Sequence, residues 1–221
     1  MWVKTVVSRA HYNGLIPRNP FAQFRITPNV KEREYLTEGE IRQLIEHEFT
    51  DATLAFTRDL FVFACFTALS FADIRELTTD DIMDVNGEKW IISKRHKTGV
   101  PFQVKLLDIP LQIIGKYRPF QKDNSVFGEI NYWSICKKLK NVIRECNINK
   151  QISFHVARHT FGTLALSKGM PIESVSRVLG HTNIKTTQIY AKITTQKLGN
   201  DLTAFGNQLN RTFGNIKVAG V

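Results

Sequence analysis

Ser153-Phe154-His155-Val156-Ala157-Arg158-His159-Thr160-Phe161-Gly162-Thr163-Leu164 sets a histidine, an arginine and a second histidine on an apolar repeat. His155 and Arg158 are three apart, which makes them neighbours on one face of a helix. Phe154, Ala157, Phe161 and Leu164 step by three, four and three along an adjacent face, the stripe of a helix packed into a core. Ser153 is the expected N-cap, so His155 and Arg158 fall in the first turns, where orphan N–H groups and the positive helix end favour an anion. Downstream, Pro171 can start a second helix and Gly180 can end it in a tight turn before His181. Tyr190 then lies in Thr186-Thr187-Gln188-Ile189-Tyr190-Ala191, which is expected to form a short helix. Arginine supplies a planar fork of donors for phosphate oxygens, histidine titrates near neutrality, and tyrosine offers an oxygen able to form an ester. Together these residues could surround and attack a phosphodiester.

The same residues closely resemble the motifs of the tyrosine recombinases, or phage-type integrases: His-x-x-Arg-His, Leu-Gly-His, and a tyrosine nine positions after that histidine. Leu179-Gly180-His181-x-x-Ile184-x-Thr186-Thr187-x-x-Tyr190 follows the family's nucleophile region almost position for position, and the similarity runs from about Tyr35 to about Thr194. Upstream, Thr67-Ala68-Leu69-Ser70-Phe71-Ala72-Asp73-Ile74 is similar to the family's Thr-Gly-Leu-Arg-x-x-Glu-Ile segment. The resemblance implies a mainly α fold with a small antiparallel β-sheet (α+β), acting on double-stranded DNA with no cofactor and no metal. It implies that Tyr190 attacks, that Arg158 and His181 stabilise charge on the phosphate, and that His155 assists proton transfer or positions the phosphate. His159 is expected to be structural, and Asp73 to be a fold-stabilising acid.

Ser70 departs from the family, which has its first catalytic arginine there; integrases of mobile conjugative elements that lack this arginine resemble the chain in that respect. A serine hydroxyl supplies no charge. Arg58 and Arg75 are the nearby candidates for replacement, Arg75 being the one expected on the surface. Arg58 lies twelve positions before Ser70, roughly 18 Å along one straight helix, so it serves only if the chain bends back. Otherwise it pairs with an acid such as Asp51 or Asp59. Lys89–Ser93 and Phe102–Leu106 read as strands of a hairpin whose tip carries Lys94, Arg95, His96 and Lys97. All four are candidates for DNA contact, and spacing selects none of them as the proton donor to a leaving 5′ oxygen. The family's Lys-Thr-Gly turn favours Lys97.

The chain's 30 Lys plus Arg against 20 Asp plus Glu give a net charge of +10, which favours a polyanionic partner. Residues 131–145 read as an amphipathic helix, with Trp133, Ile135, Leu139 and Val142 toward the core and Lys137, Lys138 and Lys140 in water or facing DNA. The longest apolar run, Leu60–Phe66, is too short for a membrane span. No basic-then-apolar leader opens the sequence, so a cytoplasmic location is expected. Cys65, Cys136 and Cys146 are odd in number and sit in helical contexts, and they are expected to be core thiols.

Residues 1–34 are expected to be the end of a core-binding domain and a linker, and residues 35–221 a catalytic domain opening with a capping box at Thr37-Glu38-Gly39-Glu40. Leu198, Leu202, Phe205 and Leu209 form an apolar stripe on a C-terminal helix. For this chain alone, a monomer, the stripe is expected to pack on its own domain. The family implies docking on a neighbouring protomer within a tetramer of the full-length protein on DNA. Two other functions stay open: a type IB topoisomerase, and a DNA-binding protein that keeps the fold without cleaving.

Overall fold

The centre of the molecule is the helix α3, Ala52–Thr67, capped at its start by the Asp51 carboxylate on the Thr53 N–H. The run Leu60–Cys65 is buried on every side because helices cover α3 all round. The coverings are α2 (Glu38–Glu46), α5 (Asp108–Tyr117), α6 (Tyr132–Glu145) and α7 (Val156–Ser167). This computed structural model describes residues 2–23, 34–97, 99–117, 120, 123–191 and 195–213, with backbone alone at 195–198 and 200. Thr98, residues 24–33 of the expected linker, and Thr194 and the Leu198 side chain of the C-terminal stripe lie outside what is described.

Residues 1–32 and 33–221 form two separate units. In the first, α1 (Trp2–Tyr12) buries no residue. In the second, α2 starts at the expected capping box: Thr37 accepts from Glu40 N–H while the Glu40 carboxylate accepts from Thr37 N–H. A five-residue helix α4, Phe71–Arg75, follows α3. Then comes a three-stranded antiparallel sheet in sequence order: β1 (Ile82–Val85), β2 (Glu88–Lys94) and β3 (Pro101–Lys105). The fold is therefore mainly α with one small antiparallel sheet, as expected.

The β2–β3 pairing, Trp90 with Lys105 through Lys94 with Pro101, follows the expected hairpin. β1 was not anticipated, although Asn86 and Gly87, at φ 56° and 82°, form the two-residue turn that joins it to β2.

Four further expectations are corrected. α7 begins at Val156, with His155 rather than Ser153 in the capping position. Pro171 precedes α8 (Ile172–Leu179) instead of occupying its first turn. Trp133 is 79% exposed, while Ile135, Leu139 and Val142 are buried as expected. On α10, Thr195–Phe213, Leu202, Phe205 and Leu209 are 60%, 57% and 40% exposed, so the described part of that stripe is not buried on its own domain as expected. The thiols of Cys65 and Cys146 are buried and that of Cys136 is half-buried; none is in a disulfide. Among the described residues no helix is long and apolar enough to cross a membrane.

Candidate active site

Ala68, which ends α3, has φ 57°, and this left-handed turn aims its carbonyl away from the helix. Arg158 Nη1 donates to that carbonyl at 2.6 Å, and Arg158 Nη2 donates to Leu179 O at 2.6 Å, at the end of α8. The guanidinium is thus clamped between the ends of two helices, with carbonyls of negative partial charge on both. Gly180, at φ 64°, turns the chain out of α8 and delivers His181, whose Nδ1 lies 2.8 Å from Thr187 Oγ1. Thr187 belongs to the short helix α9, Lys185–Gln188. Tyr190 follows it in a turn, two residues beyond the helix expected to carry it.

The phenol of Tyr190 lies across α7. Its hydroxyl is 2.7 Å from His159 Nδ1, and its ring covers Gly162 so closely that a Cβ there would come within 2.8 Å of Cδ2. The rings of His155 and His159 meet edge to face at 4.6 Å. His155, Arg158, His159, His181 and Tyr190 are thereby brought into one neighbourhood at the junction of α3, α7 and α8.

Of the two places expected for Arg58, it takes the one paired with an acid, and it is turned away from this neighbourhood. Its Nε pairs with Asp59 at 2.5 Å, and its Nη1 donates to Leu44 O, Ile45 O and His47 O, closing the C-terminal end of α2. It thereby satisfies two of the orphan carbonyls of α2, those of Leu44 and Ile45, and that of the C-cap His47. Arg95 is not the surface contact expected: it is 6% exposed.

Arg95 Nη1 binds Asp73 Oδ2 at 2.8 Å and approaches Ala68 O at 3.5 Å, and Nη2 binds Val178 O. The guanidinium carbon stands 4.0 Å over the Phe102 ring. Its Nε is buried, within 3.1 Å of where a Gly180 Cβ would be, and has no hydrogen-bond partner among the described residues. Two guanidinia therefore converge on the carbonyl of Ala68. Burial pushes that of Arg158 down to about 10, and the charge of Arg95 adds to the effect. Burial lowers Arg95 also, with Asp73 opposing. Two buried guanidinia against the single carboxylate of Asp73 leave an excess of positive charge here, which favours an anion.

Ser70 takes no part as a donor to that anion. It caps α4, its Oγ donating to Asp73 Oδ2 at 2.8 Å and accepting from Asp73 N–H. Burial works against the Asp73 carboxylate, but the His96 N–H and the Arg95 guanidinium hold it below its usual range. Lys94 and Lys97 are exposed, as expected of the hairpin, and His96 Nε2 pairs with Glu76 at 2.8 Å. Arg75 is on the surface beside Glu76.

The model of the phage integrase family matches residues 34–197. The chain belongs to that family. A tyrosine recombinase of Thermosipho africanus is 25% identical over 192 residues, covering 84% of this chain and 66% of the relative. Tyrosine recombinase XerA of Saccharolobus solfataricus is 30% identical over 139 residues, 62% of this chain and 47% of the relative. The chain thus spans about half to two thirds of the length of these curated relatives. Among solved structures, the Tn1549 transposon integrase (residues 82–397) in complex with circular intermediate DNA superposes with TM-score 0.73 at 18% identity, covering 90% of this chain and 75% of that one. A XerA recombinase superposes with TM-score 0.63 at 22% identity, covering 90% and 72%. These likenesses establish the integrase catalytic fold.

Proposed function

We propose that this phage integrase domain cleaves and rejoins double-stranded DNA at specific sites through a 3′-phosphotyrosine. The convergence of Arg158 and Arg95 on one carbonyl, within the same neighbourhood as the Tyr190 hydroxyl, carries this reading. Tyr190 Oη attacks the scissile phosphorus, an Oη–P bond forms, and the P–O5′ bond breaks with its electron pair going to O5′. Lys97, on the exposed hairpin turn, gives O5′ its proton. Arg158, Arg95 and His181 stabilise the charge that grows on the non-bridging oxygens, and the Tyr190 Oη proton leaves to solvent, with His155 assisting that transfer or seating the phosphate. Arg95 takes over the charge that Ser70 lacks. Lys94 contacts the DNA backbone beside the site.

Residues 1–34 are read as the end of a core-binding domain and its linker, and residues 35–221 as the catalytic domain. The full-length protein is proposed to act as a tetramer on DNA, this chain alone being monomeric, in the cytoplasm. The exposed stripe Leu202, Phe205 and Leu209 supplies the tie between protomers. An apolar groove of about 610 Å³, walled by Ile41, Ile45, Phe66, Phe161 and Leu164, is of a kind that could accept such a helix.

The test is a nicked duplex whose cleavage product escapes. Wild-type protein is expected to accumulate a covalent adduct on the 3′ side, and Tyr190→Phe to form none. An adduct of equal yield in Tyr190→Phe overturns the assignment.

A further inference from the structure

We infer that His159 is a positioning residue that holds the nucleophile through its Nδ1; the inference rests on the reading of Tyr190 just given. Tyr190, packed against the cluster of Ala68, Leu166, Val175 and Leu179, closes a stretch that is otherwise lightly buried. From Asn183 to Ala191 only Thr187 is fully buried, and Ile184 and Ile189 are more than a third exposed. Thr187 is tied to His181, and Tyr190 to His159. The second tie touches the atom that must attack, at 2.7 Å.

His159 can hold that position because it is itself fixed. It is 7% exposed on α7, in the turn that carries Arg158. Its ring is braced by the edge of His155 at 4.6 Å, and the Tyr190 ring lies 5.5 Å away, tilted by 44°. Gly162, three residues further along α7, gives the phenol a flat seat where a side chain would collide with it. His159 and Gly162 thus define direction and depth for the phenol on the helix that carries Arg158. With Nε2 protonated, Nδ1 accepts the hydroxyl hydrogen and leaves an oxygen lone pair facing outward. Reacting atoms held in a near-attack geometry account for a large share of rate in such reactions, and a shift of about 1 Å can cost on the order of 100-fold.

A histidine that merely packs helices would be replaceable by any side chain of similar volume, whereas one that holds Tyr190 through Nδ1 requires a polar atom at that place. Asparagine puts its amide where Nδ1 sits; glutamine puts it nearer Nε2. The experiment is single-turnover cleavage of the nicked duplex by the full chain, with DNA affinity and thermal unfolding measured separately. His159→Leu is expected to cleave at least ~10-fold more slowly with affinity changed by less than about 2-fold, and His159→Asn to come back within about 3-fold of wild type. His159→Gln should stay as slow as His159→Leu. Cleavage by His159→Leu at or above the wild-type rate, or equal rescue by glutamine and asparagine, overturns the inference. Should His159→Leu fail to fold, the asparagine–glutamine contrast decides alone. A Tyr190→Phe variant that still forms the adduct overturns the nucleophile assignment itself, whichever way His159 falls.

Discussion

Arg95 and Arg58 carry the same charge and both pair with a buried acid, so burial alone does not separate them. What separates them is where they stand. Arg95 shares the Ala68 carbonyl with Arg158, whereas Arg58 pairs with Asp59 and closes the end of α2. Arg95→Ala is therefore expected to slow single-turnover cleavage by ~100- to 1000-fold, the loss typical of one donor to a developing oxyanion. Arg58→Ala should instead lose about 3 kcal/mol in urea unfolding and leave the cleavage rate of the folded protein within about 3-fold, because its buried pair with Asp59 lies at the end of α2, away from Arg158 and Tyr190. Ser70→Ala is expected to cost ~1 kcal/mol as a lost cap and to keep cleavage within a few-fold. A large cleavage defect there would return Ser70 to the phosphate. Sequence alone singled out His155, Arg158, His181 and Tyr190, which the structure brings together, because their spacing is local to helices and turns. Arg95 was hidden among four successive basic or titratable residues, Lys94 to Lys97. Its signal was the strand period: Ile91, Ser93 and Arg95 alternate toward one side, which puts Arg95 in and Lys94 and His96 out. A buried arginine then needs a buried acid, and Asp73 is the buried acid beside it.

At the scale of elements, the site exists because short pieces are pinned to long ones. α4 is only five residues, too short to be stable alone, yet Asp73 on it ties the Ser70 cap, the Arg95 guanidinium and the His96 N–H together. This joins the end of β2 to the exit of α3, and so joins the hairpin bearing Lys97 to the carbonyl of Ala68. The Asp73 pKa is held low in the fold. Its contribution to stability is thus fully present above the unfolded value of about 3.9, and is lost as pH falls through the lower folded value. Asp73→Asn is expected to cost about 3 kcal/mol at pH 7, and to flatten the fall in stability of the wild type below about pH 4, followed by urea unfolding at a series of pH values. An unchanged acid limb in Asp73→Asn would assign that limb to other carboxylates. The elements least visible beforehand were the ones with little periodicity. β1 has four residues and no buried side chain, and only its Asn86-Gly87 turn marks it. α9 has four residues, so Tyr190 falls outside a helix that six residues of sequence suggested would contain it.

The whole molecule has two unsatisfied properties, a charge of +10 and an apolar helix face, and they call for different partners. The charge calls for DNA. Residues 116–150 alone hold eight Lys or Arg and three Asp or Glu, and on α6 Lys137, Lys140 and Arg144 are all exposed, on the side of Trp133. Binding that rests on such contacts should weaken with salt at a slope of about −0.9 per phosphate neutralised in a plot of log K against log salt. The apolar face calls for protein. Three large side chains on one side of a nineteen-residue helix stay 40–60% exposed, and covering the rest of each would gain about 1 kcal/mol or more. These two needs can be separated by experiment, because the proposed cleavage site lies on α7, α8 and the hairpin, whereas the proposed tie between protomers lies on α10. Leu202→Asp with Phe205→Asp is expected to keep the thermal midpoint, the salt slope and covalent adduct formation on an isolated half-site. In the full-length protein the same pair should abolish the multimeric complex on a complete site, read by native gel or by light scattering. Loss of adduct formation on the half-site would place α10 in the active site instead. A stable multimer in the double variant would mean that the stripe is covered by something other than a neighbouring protomer.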